Sequence, residues 1–146
     1  MNFLVTGGAG FIGSAVIRLL LSDSRNKVVN LDNLTYAGNL ESLKSIEKSK
    51  NYFFEKVDIC NQKEVKRIFQ LYSPNKVLHL AAESHVDRSI LEPKKFLETN
   101  VIGTYVMLDE SKTYWDELPE EDKNNFIFQH ISTDEVYGDL GVSKER

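Results

Sequence analysis

Glycines near the amino terminus are spaced so that they could bind phosphate groups. The segment from Thr6 to Gly13 matches G-x-x-G-x-x-G at positions 7, 10 and 13, and G-x-G-x-x-G at positions 8, 10 and 13. Such glycines let the backbone turn tightly and approach a pyrophosphate, and free N–H groups at the start of the following helix bind its charge. A plain tight turn has similar composition. The motif therefore predicts a dinucleotide loop only if a strand precedes it and a helix follows.

An acidic residue at the expected distance strengthens this interpretation. Asp32 follows Gly13 by 19 residues, where a carboxylate can accept a hydrogen bond from a ribose 2′-hydroxyl. A 2′-phosphate would meet like charge there, and the first cationic residue after Asp32 is Lys44. The sequence thus favours NAD over NADP. Asp58 and Ile59 are similarly placed to contact the adenine, although Asp is common at turns in general.

Two adjacent carboxyl groups, Asp134 and Glu135, could act together as a general acid and a general base. Successive side chains of a regular strand point to opposite faces, so both can address one substrate only beyond the end of a strand. The pair follows an apolar run at 126–131, as this requires. A polar strand end that caps the following turn is the alternative interpretation.

The three histidines do not form a predicted metal site. His79 and His130 fall within predicted strands, His85 falls in the loop after the fourth, and no carboxylate or cysteine cluster joins them at zinc-like spacing. We interpret His79 and His130 as structural residues with satisfied hydrogen bonds. His85, beside Ser84, is expected near a substrate.

The residues above must be positioned by predicted strands and helices, which alternate along the chain. Five short apolar segments alternate with longer segments of helical period, which is typical of a parallel sheet covered by helices. The segments are 2–6, 27–31, 52–57, 76–80 and 126–131. Right-handed crossovers predict a Rossmann-like, doubly wound α/β fold with strand order 3-2-1-4-5. Its ligand crevice lies outside the carboxyl ends of strands one and four.

Three helices are predicted between these strands. The first packs on the sheet through an apolar set at helical spacing, Ile12, Ala15, Val16, Leu19 and Leu20. The second covers 61–71 and directs Val65, Ile68 and Phe69 inward. The longest begins near Pro93 and continues to about Trp115, with Leu97, Val101, Tyr105 and Leu108 in one stripe and Gly103 available for close packing. A polar loop is expected at 117–125.

Composition limits the classes of protein to consider. A chain of 146 residues has room for one domain, which we expect to span 1–146. A formal charge of −4 argues against nucleic-acid binding, which depends on clustered Lys and Arg. A single cysteine, Cys60, fits a reducing compartment such as the cytoplasm. The amino terminus lacks the features of a signal peptide, and no apolar run is long enough to span a membrane.

Three segments resemble a known family. They are LDNLTYAGN at 31–39, LAAESHVDRS at 80–89 and STDEVYG at 132–138. Together with the glycine-rich loop, they are similar to the extended short-chain dehydrogenase/reductases and, more narrowly, to the family of dTDP-glucose 4,6-dehydratases. The resemblance extends from Met1 to about Ser143. Related nucleotide-sugar epimerases lack the adjacent Asp-Glu pair.

The resemblance assigns residues to the parts of an NAD site. For the pyrophosphate these are Gly7, Gly10, Phe11, Ile12 and Gly13. For the adenosine they are Asp32, Asn33, Leu34, Thr35, Asp58 and Ile59. For the wall leading to the nicotinamide they are Leu80, Ala81, Ala82, Glu83, Ser84 and Thr99. Ser84 and Thr133 would also reach the sugar substrate.

The reaction implied by the resemblance is dehydration of dTDP-glucose to a 4-keto-6-deoxy sugar through transient reduction of NAD. Thr133, Asp134 and Glu135 would be its catalytic residues, with Glu135 as the base and Asp134 as the acid. Asp134 must then be protonated while Glu135 is not, and like-charge coupling with burial can separate two pKa values in this way.

The family also needs parts that this sequence does not contain. Its Tyr-x-x-x-Lys pair lies on the helix after the fifth strand, and no such pair follows residue 131 here. The remaining strands and a small C-terminal substrate domain are also missing. We therefore expect an incomplete NAD-binding domain that is inactive alone. The full-length family forms homodimers through the long helix near 94–115.

Two alternatives stay open from the sequence. The chain could be a non-catalytic module that binds NAD or pairs with other subunits. It could also come from an epimerase, or from a 4,6-dehydratase acting on a UDP- or GDP-sugar. The Asp134-Glu135 pair argues against the epimerase, but it does not identify the nucleotide.

Overall fold

The computed structural model describes residues 1–133, 136 and 138. The five strands are β1 Asn2–Thr6, β2 Lys27–Asp32, β3 Tyr52–Lys56, β4 Lys76–His79 and β5 Ile127–His130. The helices are α1 Phe11–Leu20, α2 Gln62–Tyr72, α3 Val86–Leu91, α4 Pro93–Leu97, α5 Thr104–Glu117 and α6 Glu120–Lys123. A 3-10 helix covers Leu40–Leu43 and a π-helical segment covers Glu98–Gly103. No helix in the described part of the chain is both long and apolar enough to cross a bilayer.

The strands form one parallel sheet in the order β3-β2-β1-β4-β5, as predicted. Each strand boundary agrees with the sequence prediction to within one residue. β1 lies at the centre, with Leu4 opposite Val29 of β2 and Val77 of β4. The order places the residues that follow β1, β2 and β4 at one edge of the sheet, where the predicted crevice lies.

One face of the sheet is covered by α2 and α5. Val65, Ile68 and Phe69 of α2 are buried there, which confirms the predicted inward face of this helix. Asn61 caps the start of α2 by accepting from the Glu64 N–H at 3.3 Å, and Ser73 ends it in the left-handed conformation. The predicted limits of α2 are confirmed to within one residue.

The opposite face is covered by α1 and the 3-10 helix, and here part of the prediction is wrong. The residues of α1 that face the core are Gly13, Ser14 and Ile17. Ile12 and Leu19 are 61% and 73% exposed, and Ala15 is also exposed. Apolar residues surround most of α1, so periodicity did not select one face. The small residues decide it, because a side chain at Gly13 would collide with the backbone of the glycine-rich loop.

The long helix begins at Pro93 as predicted, but it is not uninterrupted. Between α4 and α5 the backbone follows a π-helical path over Glu98–Gly103. The predicted close packing of Gly103 is found here, since a Cβ on it would lie 2.5 Å from Ile59 Cδ1. The helix α3 was not predicted.

The segment expected to be a polar loop at 117–125 contains α6. Pro119 precedes it, and its first turn holds Glu120, Glu121 and Asp122, which suit the positive end of a helix dipole. Its brevity explains why composition alone indicated a loop.

Candidate functional site

The glycine-rich loop crosses the end of the central strand in contact with both neighbouring strands. Gly7 has a φ of +69°, and its N–H donates to the Leu31 carbonyl of β2 at 2.9 Å. A Cβ at Gly7 would lie 2.8 Å from Ala81 Cα, on the segment after β4. Only glycine satisfies both the positive φ and this close approach.

The amino terminus of α1 is open for an anion. Gly10 occupies the N-cap in an extended conformation, and the first turn of this helix contains no acidic residue. Phe11 is 94% exposed and Ile12 is also exposed, so side chains do not cover this end. The first N–H groups of a helix have no partner within it and carry its positive dipole. The predicted pyrophosphate residues therefore present donors at the crevice.

Asp32 fixes the loop and the turn that follows β2. Its Oδ2 accepts from the Ala9 N–H at 2.9 Å, and its Oδ1 accepts from the Leu34 N–H at 2.8 Å. Leu34 takes a positive φ of 54° in this turn. Each carboxylate oxygen has room for a further hydrogen bond. Asp32 thus has a structural role, and the predicted contact with a ribose hydroxyl remains a prediction.

The residues predicted around the adenosine are connected to one another. The Asn33 side-chain amide donates to Asp58 Oδ2 at 3.0 Å, which joins the turns after β2 and β3. The Thr35 carbonyl accepts from the Gly38 N–H at 3.1 Å and closes the β2 turn. Ile59 is buried against Gly103, so its side chain belongs to the core.

The segment after β4 is held by Asn100, to which no role was assigned from the sequence. Asn100 Oδ1 accepts from the Glu83 N–H at 2.8 Å, and its Nδ2 donates to the Glu83 carbonyl at 2.9 Å. Ala82 and Ser84, on either side of Glu83, are exposed, while Thr99, beside Asn100, is half-buried. Asn100 could have been noticed from the sequence, because it lies inside a predicted helix and asparagine is a poor helix former.

His79 lies at the end of β4 among hydroxyl groups. Its Nδ1 is 2.7 Å from Thr6 Oγ1, and its Nε2 is 3.0 Å from Thr104 Oγ1. Burial, together with the neighbouring His130, lowers the pKa of His79 to about 4. The structural role predicted for His79 is confirmed by these contacts. His130 is exposed and stacks on His79 with 5.1 Å between ring centroids.

A further contact spans the crevice edge above the central strand. The Arg88 guanidinium carbon lies 3.8 Å from the centroid of the Tyr36 ring. Tyr36 belongs to the turn after β2 and Arg88 to α3, which follows β4. His85 packs edge-on against the same ring. Burial and the nearby Glu83 carboxylate raise the pKa of the Tyr36 hydroxyl. Neither Tyr36 nor Arg88 was assigned a role from the sequence.

The predicted acid and base, Asp134 and Glu135, lie outside the described residues. Thr133 is described and is exposed, three residues after the end of β5. Its carbonyl accepts from the Val136 N–H at 3.4 Å. The parallel order places the end of β5 beside that of β4, on the same edge of the sheet as the glycine-rich loop.

Known proteins resemble the chain over nearly its whole length. A dTDP-glucose 4,6-dehydratase of Salmonella typhimurium is 60% identical over 140 residues, which cover 96% of this chain and 39% of that relative. The solved dTDP-glucose 4,6-dehydratase of Bacillus anthracis, in complex with NAD, is 38% identical with a TM-score of 0.81, covering 98% of this chain and 41% of that chain. The chain thus spans about two fifths of the length of these proteins.

A solved UDP-glucose 4-epimerase of Thermotoga maritima, with UDP-glucose, is 41% identical with a TM-score of 0.70. The matched region covers 78% of this chain and 35% of the epimerase. The similarity to the epimerase therefore extends over less of this chain than the similarity to the Bacillus anthracis dehydratase does. The family model described as GDP-mannose 4,6 dehydratase matches residues 4–146. With the glycine-rich loop and the parallel sheet in the positions described above, the chain belongs to this GDP-mannose 4,6 dehydratase family.

Proposed function

We propose that this chain is the NAD-binding portion of a dTDP-glucose 4,6-dehydratase. The observation that carries the proposal is the glycine-rich loop, with Gly7 packed on Ala81 and Ala9 bound to Asp32, at the edge where β1, β2 and β4 end. The relatives named dTDP-glucose 4,6-dehydratase support the substrate class. The predicted domain, an incomplete NAD-binding unit over 1–146, is part of the same proposal.

The residues present fit NAD better than NADP. A pyrophosphate at the start of α1 would meet N–H donors, and the glycines leave space that side chains would fill. The buried Asp32 carboxylate would accept from a ribose hydroxyl, whereas a 2′-phosphate would place like charges together. The wall from Leu80 to Ser84 would continue towards the nicotinamide, with its backbone held by Asn100.

Bound NAD would supply a hydride acceptor for C4 of the sugar and a hydride donor for C6. Glu135 would remove the proton from C5, which oxidation at C4 makes acidic. Asp134 would give its proton to the departing O6 hydroxyl, so that water leaves across C5 and C6. The O4 proton lost on oxidation at C4 would go to a base outside the residues assigned here, and Glu135 would return its proton to C5 as C6 takes the hydride. Thr133, three residues after the end of β5, would contact the sugar together with Ser84.

A second part of the proposal concerns assembly. Leu97, Val101, Tyr105 and Leu108 are between 48% and 62% exposed, while Val106 and Met107 of the same helix are buried. A continuous apolar stripe on a helix is typical of an interface between subunits. We propose that this stripe contacts a second subunit of the same kind in a homodimer.

Calorimetric titration of the purified chain with NAD and NADP tests the cofactor proposal. We expect NAD to bind and NADP to bind at least about tenfold more weakly, because one unfavourable charge contact of about 1.4 kcal/mol has that effect. Equal affinities, or no heat with either nucleotide, would contradict the proposal. For activity, dTDP-glucose and NAD are added and the 4-keto-6-deoxy product is measured, with UDP-glucose and its epimerised product as the comparison. We expect neither product from these 146 residues alone.

A further inference from the structure

We infer that His79 is a positioning residue for the proposed NAD site. Held as the neutral Nε2–H tautomer between Thr6 and Thr104, it fixes the backbone N–H groups of Leu80 and Ala81 through the Thr6 hydroxyl. This inference rests on the proposed function only for its effect on NAD. The tautomer and the local backbone geometry can be measured without the cofactor.

The hydrogen bonds of Thr6 determine the direction of the first link. Thr6 Oγ1 accepts from the Leu80 N–H at 3.2 Å and from the Ala81 N–H at 3.1 Å. A hydroxyl group has two lone pairs and one proton. The Leu80 N–H is shared with the Thr6 carbonyl, which also accepts from it at 3.2 Å. Because Thr6 is fully buried and the other described partners of its hydroxyl are N–H donors, the Thr6 proton is directed at His79 Nδ1, 2.7 Å away. Nδ1 is therefore the acceptor and carries no proton.

The second link follows from the first. A neutral imidazole with an unprotonated Nδ1 carries its proton on Nε2. The Nε2–H then donates to Thr104 Oγ1 at 3.0 Å. His79 is fully buried, and the groups facing it are the two threonine hydroxyls and the rings of Phe128 and His130. Burial and His130 both oppose a charge on the ring, so the neutral form persists near neutral pH.

The three elements joined by His79 are those that carry the predicted wall of the cofactor site. Thr6 ends β1, directly before the glycine-rich loop, and Thr104 begins α5, directly after Gly103. The same helical stretch holds Asn100, which binds Glu83 farther along the wall. The wall is thus bound at Leu80 and Ala81 by Thr6, and at Glu83 by Asn100. A shift of α5 relative to β1 would therefore change the hydrogen bonds of Thr6 to Leu80 and Ala81 and those of Asn100 to Glu83.

Two substitutions at one position separate positioning from simple packing. Thr104→Val keeps the shape of the side chain and removes the acceptor for Nε2–H, whereas Thr104→Ser keeps the hydroxyl. Long-range ¹H–¹⁵N spectra of the ¹⁵N-labelled chain report the tautomer of His79. Amide hydrogen exchange reports the Leu80 and Ala81 N–H groups, and calorimetry reports NAD affinity.

We expect the unsubstituted chain to show the Nε2–H form. In Thr104→Val we expect that form to be lost in part and exchange at Ala81 to be faster. We also expect the NAD Kd to rise about five- to tenfold, because a wall that is no longer held in place binds NAD less well; this corresponds to about 1–1.4 kcal/mol of binding free energy. In Thr104→Ser we expect the His79 tautomer to match that of the unsubstituted chain, and the exchange rate at Ala81 and the NAD Kd to stay within about twofold of its values. An Nδ1–H tautomer in the unsubstituted chain, or an altered tautomer with unchanged exchange at Ala81, would overturn the inference. Absence of NAD binding by the unsubstituted chain would instead refute the proposed function, and the two spectroscopic results would still decide the role of His79.

Discussion

The Arg88 guanidinium stacks on the Tyr36 ring at 3.8 Å and so joins the two loops that flank the glycine-rich loop. Tyr36 follows β2, Arg88 follows β4, and β1 lies between these strands. The contact therefore bridges the two loops on either side of the glycine-rich loop. With the edge-on packing of His85 on the same ring, it is one of the contacts that hold the two loops together, and a cation–π pair at a partly exposed site contributes about 0.5–1 kcal/mol.

Replacing Arg88 with alanine should loosen this edge with little effect on global stability. We expect the free energy of unfolding to fall by at most about 1 kcal/mol, and amide exchange in the segment 81–88 to become faster. Denaturant titration and hydrogen exchange measure the two effects. Lys112→Ala is a control away from this edge, because its ammonium group also lies over an aromatic ring, that of Trp115, although this substitution removes an ion pair with Asp116 as well. Faster exchange at 81–88 in the control variant would refute the assignment.

Asp32 should contribute to stability as well as to cofactor choice. Asp32→Ala leaves the N–H groups of Ala9 and Leu34 without their acceptor, which should cost about 1–3 kcal/mol of unfolding free energy. Asp32→Asn keeps one oxygen acceptor and removes the charge, so it should cost less and should narrow the preference for NAD over NADP. Denaturant titration and calorimetry of both variants check this. Equal stability of Asp32→Ala and the unsubstituted chain would contradict the structural role.

Replacing Gly7 should destabilise the loop through both its backbone conformation and its close packing. An alanine there combines a φ of +69° with a Cβ only 2.8 Å from the Ala81 backbone, so the strand ends must separate. The conformational part alone costs about 1–2 kcal/mol, and the collision adds to it. Gly10→Ala is the matched control, because its φ is negative and its nearest neighbour is the Gly7 carbonyl at 3.2 Å. Similar melting temperatures for the two variants would show that the close approach to Ala81 is not as described.

Stability should fall as the pH is lowered through the range in which His79 titrates. The pKa of buried His79 is about 4, below the 6.5 of the free side chain. Between these values the unfolded chain binds more protons than the folded chain, so unfolding free energy decreases with falling pH by up to about 1.4 kcal/mol per unit. Above about pH 6.5 both states are neutral at this residue and its contribution is constant.

Denaturant titrations from pH 7 to pH 4 measure this slope. In His79→Gln the part of the slope that comes from the imidazole disappears, while the contribution of the carboxylates remains. An unchanged slope in this variant would mean that His79 is not the titrating group.

The apolar stripe of the long helix gives a prediction about assembly. Val101→Lys places a charge in the stripe and should shift a dimer towards monomer, with little change in the stability of the monomer. Leu71→Lys is the control, because Leu71 is similarly exposed but lies at the end of α2, outside the stripe. Analytical ultracentrifugation over a range of concentrations measures the change. A chain that is monomeric without substitution at high concentration would exclude the stripe as a self-association surface.

The sheet could be predicted from the sequence because its strands are parallel and buried. The strands then form short, largely apolar runs, such as Phe3 to Val5 in β1, and the helices between them fix the direction of each crossover. The face of α1 could not be predicted in the same way. The buried side of α1 is set by Gly13, because this residue must lie against the backbone of the glycine-rich loop. The spacing of apolar residues cannot predict that contact.

The candidate site likewise contains residues that local sequence motifs predict and residues that only tertiary contacts define. Gly7 and Asp32 follow from local motifs, since a turn and a strand end suffice to define them. Asn100 and Thr104 act over distances of 17 and 25 residues, on Glu83 and His79 respectively. Such contacts depend on the π-helical segment and on how closely Gly103 approaches Ile59, which are properties of the tertiary structure.

The central position of β1 has a consequence for synthesis on the ribosome. β1 emerges first, but its second neighbour, β4, is complete only at His79. At about 5–20 residues per second, the interval between the ends of β2 and β4 is on the order of seconds. During this time one edge of the innermost strand has no partner. Nascent-chain folding should therefore be most vulnerable to aggregation, and most sensitive to chaperones, before the fourth strand has left the exit tunnel.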